Sequence, residues 1–307
     1  MRSHRILVAL LIGCAPALSL GQNSPPSPNG TSIASSAAPA LSNDQIRDLI
    51  RHAAEKDMEN DKRQRDYTYV EREEEHKLNG KGELQSTETK TFDVMMLYGE
   101  QVRRLVTKND QPLPEKDAAK EEEKIQKIID KRKNESDDDR KKRLEKEEKE
   151  REDDRKFVGE IADAYNFRLV RVEPLDGRDA YVIDADPRPG FEPKLRDARM
   201  LPNFRFRVWI DTAESQWIKV DIECIDTASF GWILARVHKG SNIVIELTRV
   251  NEDVWLPKHV ALKLDARIAL FKGLNIDEEA TYRDYKKFRT DTRIVPLGEE
   301  GKDAAPK

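Results

Sequence analysis

From Asn166 to Phe288, almost every run of residues alternates with a period of two. The runs are FRLVRVEPL, AYVIDADP, RFRVWID, QWIKVDIECID, SFGWILARVHKG, NIVIELTRV, DVWLPKHVALKLDARIAL and NIDEEATYRDYKKF. A period of two puts successive side chains on opposite faces of a strand. Within FRFRVWI, Phe204, Phe206, Val208 and Ile210 share one face, and Arg205, Arg207 and Trp209 the other. Ile243, Ile245 and Leu247 likewise alternate with Val244, Glu246 and Thr248. Short turns separate the runs, at Asp176-Gly177, at Asp211-Thr212-Ala213-Glu214 and at Lys239-Gly240. Connections this short leave no room for crossover helices, so neighbouring strands are antiparallel.

The same signal is present upstream. Tyr67, Tyr69 and Glu71 fall on one face, with Thr68 and Val70 on the other. The segment Asn79-Gly80-Lys81-Gly82 reads as a hairpin turn into TETKTFDVMMLY, and Gly99-Glu100 begins the turn into VRRLVTKN. About ten or eleven strands result. They predict an α+β fold that is mainly antiparallel β: one large, strongly curved sheet with helices against its apolar concave face.

Two segments predict helices. Ser42 followed by Gln45 has the spacing of a capping box. The helix it opens should run to about Gln64, with Ile46, Leu49, Ile50 and Ala53 on one stripe. The second segment, residues 115–156, has 33 charged residues among 42, 16 basic and 17 acidic. This segment lifts the charged fraction of the chain to 37 %, against about 25 % for an ordinary soluble domain. Its mixed charges and good helix formers predict two helices broken near Asn134-Glu135-Ser136. Ile125, Ile128, Ile129 and Leu144 are too few for a coiled-coil seam. The expectation is a solvated arm, replaceable by a short linker, that could also dock an envelope protein partner. An apolar face returns at Phe157, Val158 and Ile161, where the second helix should pack on the domain.

The N-terminus reads as an address. Arg2 and Arg5 precede an apolar run from Ile6, and small residues lead to Gly21 and Gln22. This is the anatomy of a secretory signal over residues 1–21, too short and too interrupted by Pro16 to span a bilayer as a helix. The mature chain should then be exported, with no transmembrane segment. Ordinary cleavage near Gly21 competes with lipidation at Cys14, because Leu11-Ile12-Gly13-Cys14 resembles a bacterial lipobox. Residues 22–41, rich in Ser, Pro and Ala, read as a flexible tether, and residues 291–307 as a disordered tail. Cys14 and Cys224 are the two cysteines, so the mature chain has no intramolecular disulfide; Cys224 reads as a small buried hydrophobe.

Motifs that would name a chemistry are missing. The chain has no Gly-rich phosphate loop, no G-x-S-x-G elbow and no H-E-x-x-H. Its five histidines are scattered singly, and neither Glu73-Glu74-Glu75 nor Asp137-Asp138-Asp139 forms a carboxylate cage. No catalytic residue, metal site or cofactor is predicted. A formal charge of -4 argues against nucleic-acid binding. The aromatic residues, including Trp209, Trp217, Trp232 and Trp255, read mainly as core, but a concave sheet so furnished could line an acyl-sized cavity.

The C-terminal half also resembles a known family. Trp209-Ile210-Asp211, Val250-Asn251 with Val254 to Pro257, and Tyr282, Asp284, Tyr285 and Phe288 are similar to recurring elements of the outer-membrane lipoprotein-sorting (LolA-like) superfamily. The turn Asp176-Gly177-Arg178 fits as well. The resemblance covers roughly residues 43–290. It implies an unclosed (half) β-barrel of about eleven strands wrapping helices, over residues 42–290 with the charged insertion inside it. It further implies a periplasmic protein that holds lipid or lipoprotein acyl chains without turnover. Related domains act as envelope sensors or regulators, which keeps an interaction role open. The cavity candidates are Phe204, Phe206, Val208, Ile243, Ile245 and Leu247, chosen because their alternation gathers each set on one face.

Overall fold

The computed structural model describes residues 41–78, 83–98, 100–230, 235–252, 254–268 and 272–287. The expected signal over residues 1–21, Cys14, most of the expected tether, the expected turn at Asn79–Gly82, Trp232, Phe271, Phe288 and the expected tail lie outside the described residues.

Helix α1 is Asn43–Gln64. It opens as the sequence dictates: Ser42 Oγ accepts from the Gln45 amide at 3.2 Å, and Gln45 Oε1 accepts from the Ser42 amide at 2.8 Å. Strands β1 (Tyr67–Leu78), β2 (Leu84–Leu97), β3 (Glu100–Lys108) and the two-residue β4 (Gln111–Pro112) follow as a meander. The insertion forms α2 (Glu115–Lys133) and α3 (Asp137–Ala164), broken where Ser136 caps α3 through the Asp139 amide. Then come β5 (Tyr165–Leu175), β6 (Arg178–Pro187), a 3-10 segment (Asp197–Asn203), β7 (Phe204–Asp211) and β8 (Trp217–Cys224). The chain continues through β9 (Ala228–Phe230), β10 (Ala235–Val237), β11 (Asn242–Val250), β12 (Val254–Ile268) and β13 (Lys272–Lys287).

All thirteen strands of the described residues belong to one sheet, and the described pairings are antiparallel. The main path is β4-β3-β2-β1-β13-β12-β11-β8-β7-β6-β5, with β10 and β9 hanging from β12. Among the described residues β4 and β5 do not pair, so the sheet is an unclosed half-barrel. The excess of two over the expected eleven strands comes from the two-residue β4 and from the run SFGWILARVHKG, which gives two three-residue strands, β9 and β10, in place of one. Asp176 and Gly177 turn β5 into β6 with φ of 50° and 79°, the left-handed pair that a two-residue hairpin requires.

Register decides what each face carries. Phe206 stands opposite Ile222, Ile222 opposite Ile243, and Ile243 opposite Leu262. The row continues from Leu262 to Glu278, Glu75 and Glu88. One face therefore changes from apolar to charged as it crosses from β12 to β13. The apolar half is the inner face. Ile46 and Ala53 of α1 pack there with Phe167, Ile183, Ala185, Leu201 and Ile210, joined by Phe157 and Ile161 of α3. Buried Asn60 fixes the end of α1 by bonding both the N–H and the C=O of Trp255, at 2.8 and 2.7 Å.

The expectation of a merely solvated arm needs correcting. Ile125 is buried against Leu97 and Val102, with Met95, Ile128 and Ile129 alongside. Val94 stands opposite Tyr69 on the inner-face register, so Met95 and Leu97 point the other way. Helix α2 thus docks on the outer face of the β2–β3 hairpin. Three isoleucines cannot make a coiled-coil seam, but they are enough to seat one helix. Arg104, paired with Asp93 at 2.7 Å, reaches Glu122 of α2 at 2.9 Å. At its other end α3 is tied down by buried Glu160, whose carboxylate accepts the amides of Lys194 and Leu195 at 3.1 and 3.2 Å.

Candidate functional site

A pocket opens on the apolar half of the inner face. Its floor is sheet, from Phe204 and Phe206 (β7), Ile222 (β8), Ile243 (β11) and Leu262 and Leu264 (β12). Its outer wall is helical, from Phe157 and Ile161 of α3 and from Met200 and Leu201 of the 3-10 segment. Ser241, Asn242 and Lys263 complete the lining. Between helix and sheet the pocket is a narrow slot, part of it open to solvent. Small-molecule sites are mostly apolar with few polar groups.

Of the six cavity candidates, Phe204, Phe206 and Ile243 line this slot. Val208, Ile245 and Leu247 share its face, and Ile245 and Leu247 are buried in the core that extends away from it. The helical wall was not among the candidates. Phe157 and Ile161, four residues apart, carry the apolar signal that ends α3, while Met200 and Leu201 lie in a short segment without periodicity.

The charged half of the inner face is a network of ion pairs. Arg103 pairs with Glu71 at 3.0 Å and also with Glu73, and stacks on Phe92 with its guanidinium carbon 3.9 Å from the ring centre. Glu88 gathers Lys77, Lys90 and Lys108 at 3.0 to 3.3 Å. Those contacts hold the Glu88 carboxyl down at about 2, led by the hydrogen bond from Lys77. Tyr69, Tyr282 and Tyr285 pack together beside Glu71, and burial pushes all three phenols up. Burial likewise raises the Glu71 carboxyl. Glu278, between the two halves, is pushed up to about 7 by burial and then by Glu73 and Glu75.

Other candidate chemistry resolves into structure. Cys224 is buried, gives its S–H to the Asp226 carbonyl at 3.0 Å, and has its thiol pushed up by burial, away from the thiolate a nucleophile needs. Trp209 and Trp255 donate their ring N–H to Glu173 and Glu214, at 2.6 and 2.9 Å. His76 lies between Glu74 and Asp277, whereas His52, His238 and His259 each face one carboxylate. Among the described residues no three His, Cys, Asp or Glu groups converge as a metal site would require. No described helix is long and apolar enough to cross a membrane.

No protein-family model matches the sequence, and no curated protein matches it either. Among solved structures, the chain is similar to a domain named for outer-membrane lipoprotein sorting from Vibrio parahaemolyticus. That match has 11 % identity and a TM-score of 0.33, over 80 % of this chain and 95 % of the other. A LolA superfamily protein from Nitrosomonas europaea matches at 11 % identity and TM-score 0.27, over 81 % and 94 %. The MucA/MucB complex of Pseudomonas aeruginosa matches at 10 % identity and TM-score 0.22, over 77 % and 92 %.

Proposed function

We propose that this chain is an exported envelope protein that binds or carries a hydrophobic, acyl-like ligand in the inner-face slot, without chemical turnover. The observation that carries the reading is the slot itself: an apolar cleft between a sheet floor and a helical wall, on the face where a soluble domain ordinarily completes its core. The signal-like N-terminus and the sequence resemblance to lipoprotein-sorting proteins point to the same compartment and ligand class.

Lipid extraction of purified protein followed by mass spectrometry tests occupancy directly, and a stoichiometric acyl species is the expected result. Ile243→Trp should fill the slot while leaving it apolar. If this variant folds and takes up a fluorescent fatty-acyl probe as well as wild type, the ligand site is not the slot. A second reading, a scaffold whose charged arm docks an envelope partner, draws on one observation: the α3 residues between Asp137 and Lys156 are mostly exposed. Pull-down with and without residues 115–156, in a strain whose protein carries no lipid, would favour it.

A further inference from the structure

Glu278 stands where an apolar residue would be expected. Along β13 it lies between Ile276 and Ala280, which pack into the same core cluster as Leu262. Across the sheet its partners are Leu262, which lines the slot, and Glu75. Side chains directly opposite across antiparallel strands have Cβ atoms only about 4.5–5.5 Å apart. Glu278 is not itself part of the lining, but it is the cross-strand neighbour of a residue that is, on the strand bordering the slot.

The other acids of this face have cationic partners. Arg103 serves Glu71 and Glu73, Lys90 serves Glu75 and Glu88, and Lys77 and Lys108 also serve Glu88. Among the described residues the Glu278 carboxylate takes part in no hydrogen bond or ion pair, and Arg103 and Lys90 act on it only through space. The charged groups that bear on it are Glu73 and Glu75 from β1, Lys90 from β2 and Arg103 from β3, while β12 offers Leu262. Lys263 also lines the slot, but adjacent strand residues point to opposite faces, and its ammonium sits 3.9 Å from Asp277.

We propose that Glu278 is the head-group anchor of the slot, and that the slot takes amphiphiles with an ammonium head in preference to a hydroxyl or carboxylate head. The assignment rests on the acyl-binding reading and refines it. An ammonium supplies the partner that Glu278 lacks and relieves its repulsion with Glu73 and Glu75. A carboxylate head would add a further negative charge, and a hydroxyl would give one hydrogen bond without offsetting the charge. Charge-assisted bonds in partly desolvated sites are the stronger kind.

The test is calorimetric titration of the full chain with decylammonium, decanol and decanoate, each below its micelle concentration, at pH 6 and pH 8. At pH 8 wild type should bind decylammonium about tenfold more tightly than decanol, and decanoate more weakly than either. The ammonium affinity should fall about tenfold from pH 8 to pH 6, because a carboxyl titrating at about 7 goes from mostly ionised to mostly protonated. Glu278→Gln should lose both the preference for decylammonium over decanol and the pH dependence of ammonium binding. The assignment is overturned by wild type binding decanoate as tightly as decylammonium, or by Glu278→Gln keeping the ammonium preference. The wild-type comparison stands alone if the variant misfolds. If decanol binds but decylammonium binds no better, the head-group assignment fails and the slot reading survives. If none of the three binds wild type, both fail.

Discussion

Replacing Asn60 by alanine tests whether the end of α1 is locked to the sheet as the geometry indicates. Asn60 is 5 % exposed, and its amide closes a two-bond ring with the Trp255 backbone, itself buried. The Trp255 carbonyl has a second donor, Gln64 Nε2 at 2.9 Å, so it stays satisfied when Asn60 is truncated. The Trp255 N–H loses its Asn60 acceptor. Two hydrogen bonds at a net ~1 kcal/mol each, with part of the ~1–3 kcal/mol cost of a buried unsatisfied donor, give a loss of about 2–4 kcal/mol. Gln64→Ala removes one of two donors to the carbonyl and should cost at most about 1 kcal/mol. Urea unfolding followed by tryptophan fluorescence measures both. In a domain of this size the Asn60 variant should also melt roughly 4–16 °C lower. A loss below about 1 kcal/mol for Asn60→Ala, or equal losses for the two variants, would refute the lock.

Two further outcomes are expected. Ile125→Ala should loosen α2 from the β2–β3 hairpin at a cost of about 2 kcal/mol, the low end for a buried isoleucine, and speed limited proteolysis between α2 and α3; an unchanged cleavage rate would show that α2 is not docked. Because the Glu278 carboxyl is raised to about 7 in the fold from an ordinary 4.5, the folded chain binds the extra proton, so stability declines as pH rises from 4.5 to 7. Glu278→Gln should therefore be more stable than wild type by about 1–3 kcal/mol at pH 8 and nearly equal to it near pH 4.5, allowing for the solvent that still reaches the group; denaturant unfolding at the two pH values decides, and equal differences at both would contradict the burial of Glu278.

Local chemistry was legible in the sequence, and long-range placement was not. Ser42 with Gln45, the break before Ser136 and the Asp176-Gly177 turn each act within a few residues, so their outcome could be read directly. Alternation likewise placed Phe204, Phe206 and Ile243 on one face, and pairing through Ile222 brings them together. Nothing local says that β1 pairs with β13, since that contact joins segments some 200 residues apart. The seat of α2 was hidden because Ile125, Ile128 and Ile129, though at helical spacing, are too few to mark a packing face in so charged a helix, and only the partner surface of Leu97 and Val102 gives them a role. Glu278 was missed for a related reason. In DEEATYRDY it reads as one more solvent-facing acid, although its spacing from Ile276, Ala280 and Tyr282 assigns it to the inner face.

The pairing of β1 with β13 also sets an order of events. Among the described residues, β1 alone of the meander's four strands pairs with the rest of the sheet, and it does so through a strand that ends at Lys287. During synthesis the first hairpins are complete long before their neighbour exists, and closing so long a loop slows folding. A waiting hairpin with an apolar face would be prone to aggregate. Here the waiting face carries Glu71, Glu73, Glu75, Lys90 and Arg103, whose mutual pairing lies within the meander itself. The charges that look misplaced on an inner face would keep the unfinished chain soluble until its last strand arrives.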